Sequence, residues 1–279
     1  MSSFRLNDQQ LSFFDTFGYI YLPGLMQDVI GEITDAFEAI WDEQGGGHNG
    51  QPHDGSRRSC IVPFIDQHER LCALLDDPRI EGLLISLLGD DFNYTGSDGN
   101  YYAGDTGWHS DGYQKQVRYV KIAFYLDPLT RDTGCLRVIP GSHRRGEGFS
   151  ESLEAGARTS AETWGMEGPD VPAVALETVP GDIVAFQHNL KHAAFGGSER
   201  RRMFTINTSE NFQDDQLHLL KENIEGFARF WVDRVYGEKM VATASERRMR
   251  HLRQVMSNDG HLAALSRKAR EEMEEPSRG

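Results

Sequence analysis

Gly181-Asp182-Ile183-Val184-Ala185-Phe186-Gln187-His188-Asn189-Leu190-Lys191-His192 reads as a turn, a short apolar strand and then two histidines four residues apart. Pro180-Gly181-Asp182 is a turn signal, and four apolar residues in a row are too few for a helix and enough for a buried strand. The same punctuation recurs around it. Apolar or alternating runs lie at 117–126, 135–139, 174–176 and 203–208. They are separated by Asp127-Pro128, Asp132-Thr133-Gly134, Pro140-Gly141 and Gly196-Gly197-Ser198. Many short strands with such breaks predict an antiparallel sandwich or barrel over about 92–210.

The flanks read as helical. Asn7 before Asp8-Gln9-Gln10 is an N-cap, and Leu11, Phe14 and Phe17 follow at helical spacing. Residues 18–22 form a short strand, and Val29, Ile33, Ala36, Phe37 and Ile40 make a second helical stripe. The Gly-rich stretch 45–55, with His48 and His53, is expected to be a mobile, solvated loop. Short helices are expected at 69–75 and 80–88. From 214 the chain is helical again, with Leu217, Leu220, Ile224, Phe227, Phe230 and Trp231 on an apolar face able to pack on the barrel or pair with another subunit. After Ser245 it becomes strongly charged and is expected to fray, so removing that stretch should leave the fold intact. The whole is one domain, 1–279: a mainly β core flanked by a helical N-terminal region (residues 1–91) and a helical tail (residues 214–279).

Composition narrows the function. The 279 residues carry 29 Lys plus Arg against 43 Asp plus Glu, a net charge of −14. Such a chain repels a phosphate backbone or an anionic bilayer, so neither nucleic acid nor membrane is an expected partner. Cys60, Cys72 and Cys135 are far apart and lack zinc-site spacing, which suits buried thiols in a reducing compartment. Met1-Ser2-Ser3-Phe4-Arg5 opens no apolar run of signal-peptide length, and no stretch approaches the ~18 apolar residues of a membrane span. These features predict a soluble, cytoplasmic protein.

Trp108-His109-Ser110-Asp111-Gly112 carries the first sign of chemistry. On a strand, residues i and i+2 share a face, so His109 and Asp111 can present an imidazole and a carboxylate to one metal. Either His188 or His192 could complete a set of two histidines and one carboxylate. Such a set leaves coordination positions open and is diagnostic of non-haem Fe(II) oxygenases, whereas zinc prefers closed four-coordinate sites. Arg200-Arg201-Arg202 leads into the last strand. Alternation places Arg202, Phe204 and Ile206 on a core-like face and Arg201, Met203, Thr205 and Asn207 on a more polar one. An arginine facing a cavity beside a metal suits a carboxylate, which it grips bidentately.

Several pieces then fall in one order: Gly18-Tyr19-Ile20-Tyr21-Leu22-Pro23-Gly24 after a helix, Trp108 to Gly112, Asp132-Thr133-Gly134-Cys135-Leu136-Arg137-Val138-Ile139-Pro140-Gly141-Ser142-His143, Gly181 to His192, and the arginine pair. This order resembles the phytanoyl-CoA dioxygenase family of Fe(II)- and 2-oxoglutarate-dependent oxygenases, from about Leu11 to Asn207. The resemblance implies a double-stranded β-helix, a jelly-roll or cupin-like barrel. It assigns the metal to His109, Asp111 and His192, leaves His188 as a non-ligand, and makes His143 structural. The cosubstrate arginine falls in the pair Arg201 and Arg202, and alternation selects Arg201. Ala194 and Ala123 stand where some relatives carry a hydroxyl and a Trp, so Tyr102 and Thr106 are the remaining groups to steady 2-oxoglutarate.

The implied activity is oxidation of an unactivated C–H bond of a small metabolite or natural-product intermediate, using Fe(II), 2-oxoglutarate and O2 and releasing succinate and CO2. Asp111 favours hydroxylation over halogenation, since related halogenases have Gly or Ala there. Tyr113, Lys115, Arg137 and Gln187 lie near the motifs and are candidates to reach the substrate. The alternatives are an inactive barrel with a binding or regulatory role, and a cupin-like metal enzyme that needs no 2-oxo acid.

Overall fold

The computed structural model describes residues 4–197 and 200–278, which leaves the expected break at Ser198 outside the described residues. Among the described residues there are ten strands: β1 (Tyr19–Leu22), β2 (Ser59–Ile61), β3 (Asn93–Tyr102), β4 (Thr106–His109), β5 (Tyr119–Tyr125), β6 (Leu136–Val138), β7 (Val174–Leu176), β8 (Ile183–Gln187), β9 (His192–Ala194) and β10 (Arg201–Ser209). They form a six-stranded sheet, β1-β8-β5-β10-β3-β2, and a four-stranded sheet, β4-β9-β6-β7, with every pair antiparallel. From β3 onward the chain crosses repeatedly between the sheets, which is the winding of a double-stranded β-helix. The two sheets meet through side chains rather than shared hydrogen bonds, so the expected barrel takes the form of an open two-sheet sandwich.

Alternation along β8 explains its unbroken apolar run. Ile183 and Ala185 point to the helix-covered face, while Val184 and Phe186 point between the sheets, and all four are buried. The helix-covered face holds the larger core. Phe14, Ile33, Phe37, Ile40, Leu83 and Leu84 from the N-terminal helices pack there against Val120, Ile122, Phe124, Phe204 and Ile206 of β5 and β10. Asn7 caps the first helix, Asp8–Phe17, through a capping box with Gln10. A third cluster, with Trp108, Leu153, Ala193 and Phe195, covers the outer face of the smaller sheet.

Two local expectations are corrected, and one strand is added to the sequence reading. The strand β3, Asn-Tyr-Thr-Gly-Ser-Asp-Gly-Asn-Tyr-Tyr, has no apolar alternation to announce it, and it is a strand because β10 and β2 pair with both of its edges. The 45–55 loop is pinned: His48 bonds Glu275 at 3.0 Å and the Arg58 carbonyl at 2.8 Å, and His53 stacks on Tyr101. The charged tail does not fray but packs back on the large sheet. Arg248, His251, Leu252, Val255 and Leu262 are buried, His251 stacks on Phe92 at 3.7 Å, and the Tyr94 amide donates to the His251 carbonyl. Its charges lie on one side of short helices whose other side is apolar, a period that a tally of charges does not reveal.

The tail is therefore part of the core. Truncation after Ser245 should abolish soluble, cooperatively melting protein, and Leu252→Ala should cost about 2–5 kcal/mol of stability in chemical denaturation. A truncated chain that melts at the parental temperature would show the segment to be dispensable.

Candidate functional site

Pairing of β4 with β9 sets His109 directly opposite His192, with ring centroids 4.2 Å apart. Asp111 lies beyond the end of β4, so strand alternation is not what brings it in. Its amide, and that of Gly112, donate to the His188 carbonyl, and this turn swings the carboxylate back over the two imidazoles. Asp111 Oδ1 is 3.7 Å from His109 Nε2, and Oδ2 is 3.5 Å from His192 Nε2. One donor atom from each residue lies within 4.8 Å of the other two. Each histidine gives its Nδ1–H to a carbonyl two residues back, Gly107 at 2.8 Å and Leu190 at 2.9 Å. That bond fixes the tautomer and leaves both Nε2 lone pairs facing the carboxylate.

The electrostatics keep the set ready to bind a cation. Burial raises the Asp111 carboxyl, but Lys121 and the surrounding histidines outweigh it and hold the group well below the usual carboxylate range. Burial is also the main force on His192, and with the neighbouring His109 it overcomes the pull of Asp111, leaving the imidazole at about 4 and neutral at neutral pH. Lys121 Nζ sits 2.8 Å from Asp111 Oδ2. Burial lowers its pKa, yet Asp111 and Asp98 together keep it above the ordinary lysine value and charged.

These groups open on a cavity of about 390 Å³ between the sheets. Arg201, Met203, Thr205 and Asn207 line it together with Tyr102 and Thr106. Arg202 faces the other way, where it pairs with Asp127 at 2.5 Å and Glu38 at 2.7 Å. Arg201 is 2 % exposed, lies over the Tyr102 ring at 5.0 Å, and its Nη1 has no hydrogen-bond partner among the described residues. A buried guanidinium without an acid is costly unless a ligand supplies one. Gly134, at φ +91°, makes room for it, since a Cβ there would fall 1.8 Å from Arg201 Nη1.

His188 lines the same cavity, while His143 is packed behind Gly18 and bonds the Asp15 carbonyl. Tyr113 and Gln187 line an adjoining pocket of about 250 Å³ that also touches Asp111. Arg137 is corrected: it is buried in the smaller sheet, its guanidinium is spent on the carbonyls of Pro169 and Arg131, and it does not reach the cavity. Lys115 is exposed on the surface, outside both pockets. Sequence reading missed Lys121, Asp98 and Arg58 and placed Phe227 and Phe230 on an apolar helical face, whereas the helix ends at Glu225 and all five line the cavity. Lys121 is the one charge inside the run Tyr119 to Tyr125 and shares its face with Ala123 and Tyr125, so alternation could have flagged it.

The fit around Arg201 leads to a prediction. Gly134→Ala adds a methyl group where the guanidinium lies and forces a side chain into positive φ. It should lower stability by about 1–3 kcal/mol in denaturant titration. An unchanged midpoint would mean that Arg201 has another place to go.

The family model for phytanoyl-CoA dioxygenase (PhyH) matches residues 14–204. An uncharacterized protein of Mycobacterium tuberculosis, Rv1501, is 31% identical over 96 residues, which is 33% of this chain and 28% of that protein. An uncharacterized protein of Mycobacterium bovis, Mb1539, matches to the same extent, so the matched stretch spans less than a third of these curated relatives. Among solved structures, the non-heme alpha ketoglutarate dependent carbocyclase SnoK from nogalamycin biosynthesis superposes with a TM-score of 0.58 at 21% identity, over 77% of this chain and 90% of that one. HygX from Streptomyces hygroscopicus, solved with nickel and 2-oxoglutarate bound, gives 0.58 at 17% identity, over 75% and 88%. EctD from S. alaskensis, with 2-oxoglutarate and 5-hydroxyectoine, gives 0.56 at 22%, over 74% and 76%. At such identities the likeness is one of fold. The family match covers well over half of the 279 residues, and on that ground the chain belongs to the phytanoyl-CoA dioxygenase family.

Proposed function

We propose that this protein is an Fe(II)- and 2-oxoglutarate-dependent dioxygenase that hydroxylates an unactivated C–H bond of a small metabolite, with release of succinate and CO2. The observation that carries the reading is a juxtaposition. One cavity holds both a two-histidine, one-carboxylate set and a buried arginine lacking an acid. A cupin-like metal enzyme with no 2-oxo acid would have no use for the second feature. Family membership and the fold shared with SnoK, HygX and EctD support the same reading.

His109, Asp111 and His192 would hold the metal. The donor set fits Fe(II): two imidazoles held through Nδ1 by backbone carbonyls and one ionised carboxylate, all lining an open cavity. When bound, the metal supplies activation of O2 coupled to decarboxylation of the 2-oxo acid. The chain's own residues do the positioning. Arg201 would grip the far carboxylate of the cosubstrate, and Tyr102, stacked beneath that guanidinium, and Thr106 on β4 would border the rest of it. Lys121, 2.8 Å from Asp111 Oδ2, would donate to that carboxylate and hold it in place beside the two imidazoles. Phe186 packs on His192 at 4.9 Å and keeps water from one side of the set. Asp111 itself denies the metal a halide position. The reaction runs in a single domain in the cytoplasm.

Two measurements test this. Replacing His109, Asp111 or His192 with Ala should each abolish stoichiometric Fe(II) binding under anaerobic conditions, whereas His188→Ala should retain it. Loss confined to His188→Ala would exchange the distal ligand. Arg201→Ala should raise the 2-oxoglutarate requirement by about two orders of magnitude with iron binding intact, because a desolvated arginine–carboxylate pair is worth a few kcal/mol. Arg202→Ala should mainly lower stability by freeing Asp127 and Glu38. Normal 2-oxoglutarate dependence in both variants would remove the 2-oxo acid from the reading.

A further inference from the structure

Beyond the triad the cavity continues into a compartment that the reading above does not use. Arg58, Cys60 and Val62 at the β2 edge, Asp98 from β3, and Phe227 and Phe230 of the C-terminal segment line it. These two phenylalanines lie outside the stretch that matches the family model. The helix Leu217–Glu225 gives way to a tighter turn, Gly226–Phe230, where both rings line the cavity and Phe227 also packs against the core that holds Leu220 and Ile224. Phe227 is seated on Gly96, where a Cβ would fall 2.6 Å from the ring.

The charges in this space do not balance. Four cations line the cavity, Arg58, Lys121, Arg201 and Arg229, against two carboxylates, Asp98 and Asp111. A divalent metal and 2-oxoglutarate carry equal and opposite charge, so loading the site leaves the surplus unchanged. Arg229 is at the exposed rim, and without it Arg58, Lys121 and Arg201 still exceed Asp98 and Asp111 by one positive charge. Asp98 is already satisfied by Thr205 Oγ1 and by Asn100 Nδ2 at 2.7 Å. The Arg58 guanidinium lies on the Tyr102 ring at 4.5 Å with its Nε on Asn100 Oδ1 at 2.9 Å. Its Nη2 pairs at long range with Asp98, at 3.8 Å, and donates to the Cys60 sulfur at 3.9 Å, while Nη1 has no partner among the described residues. The fork of Arg58 is thus held in place with its outer edge free for a ligand.

We propose that the prime substrate is a monocarboxylic acid with an apolar body, its carboxylate on the Nη edge of Arg58 and its body along Phe227 and Phe230. A surplus of one positive charge fits a singly charged carboxylate rather than a phosphate. The proposal rests on the dioxygenase reading of the same cavity and adds the class of molecule that reading leaves open.

The test is calorimetric titration of protein saturated with Mn(II) and 2-oxoglutarate, using 3-phenylpropanoate and its neutral amide as probes of one shape. The acid should bind about tenfold or more tightly than the amide, as expected for one charge-assisted bidentate contact. Arg58→Met should erase that preference while 2-oxoglutarate affinity stays within about threefold. Phe227→Ala should weaken acid and amide equally. Equal affinities in the unaltered protein, or no saturable binding of the acid, overturn the proposal without needing any variant to fold. If Arg58→Met weakens 2-oxoglutarate as much as the acid, Arg58 belongs to the cosubstrate and the proposal fails while the dioxygenase reading stands. Failure of the metal-loaded protein to bind 2-oxoglutarate at all would instead bring down the dioxygenase reading, and this inference with it.

Discussion

The space between the two sheets holds charge where a sandwich ordinarily holds packing. Asp98, Asp111, Lys121 and Arg201 all line it. Desolvation penalises every one of them, so each must be answered by a partner or by a ligand. Lys121 answers both aspartates, and Thr205 and Asn100 complete Asp98. Of these four, Arg201 alone is left for something from outside. The stability given up in this interior has to come from elsewhere, which is why the outward face of the large sheet carries the bulk of the core.

That division of labour explains why both ends of the chain wrap the same face. The N-terminal helices and the C-terminal segment both pack on the large sheet, and the last residues close over the loop that carries His48 through Glu275. The same C-terminal segment turns Phe227 and Phe230 into the cavity. One stretch of chain thus covers the core and supplies an apolar wall of the site, so changes in its packing are coupled to the shape of the pocket. The family match ends before this segment, so the wall it builds lies outside the region the family model describes.

The metal set depends on restraints one layer out. Two backbone carbonyls hold the imidazole tautomers, a turn bonded to the His188 carbonyl aims Asp111, and Lys121 holds the carboxylate from behind. The last two of these restraints are far from local. His188 is 77 residues from Asp111 by number, and Lys121 belongs to a different sheet from His109 and His192. The carboxylate converges through that turn, and the i, i+2 spacing alone would not have brought it there.

The short apolar run of β8, the period of two in β10 and the spacing of Gly and Pro determined these strands, and with them which face Arg201 and Arg202 take. These are local properties, because side-chain direction in a strand follows from the residue's parity. The helices of the N-terminal region were legible for the same reason, through a period near 3.6 and the Asn7 cap. Other features were decided only by tertiary structure. The polar strand β3 exists because neighbours pair with both edges, and the charged tail is ordered because its apolar side and the His251 ring find partners on the large sheet. Arg58 and Arg137 illustrate the difference most directly. Sequence proximity to a motif pointed to Arg137, which is tied to backbone carbonyls inside the smaller sheet. Arg58 follows a Gly-rich loop with no motif of its own, yet the pairing of β2 with β3 carries its guanidinium into the cavity. Where a charge ends up depends on which strands become neighbours across the sheet, and that is settled by long-range pairing, which no local pattern encodes.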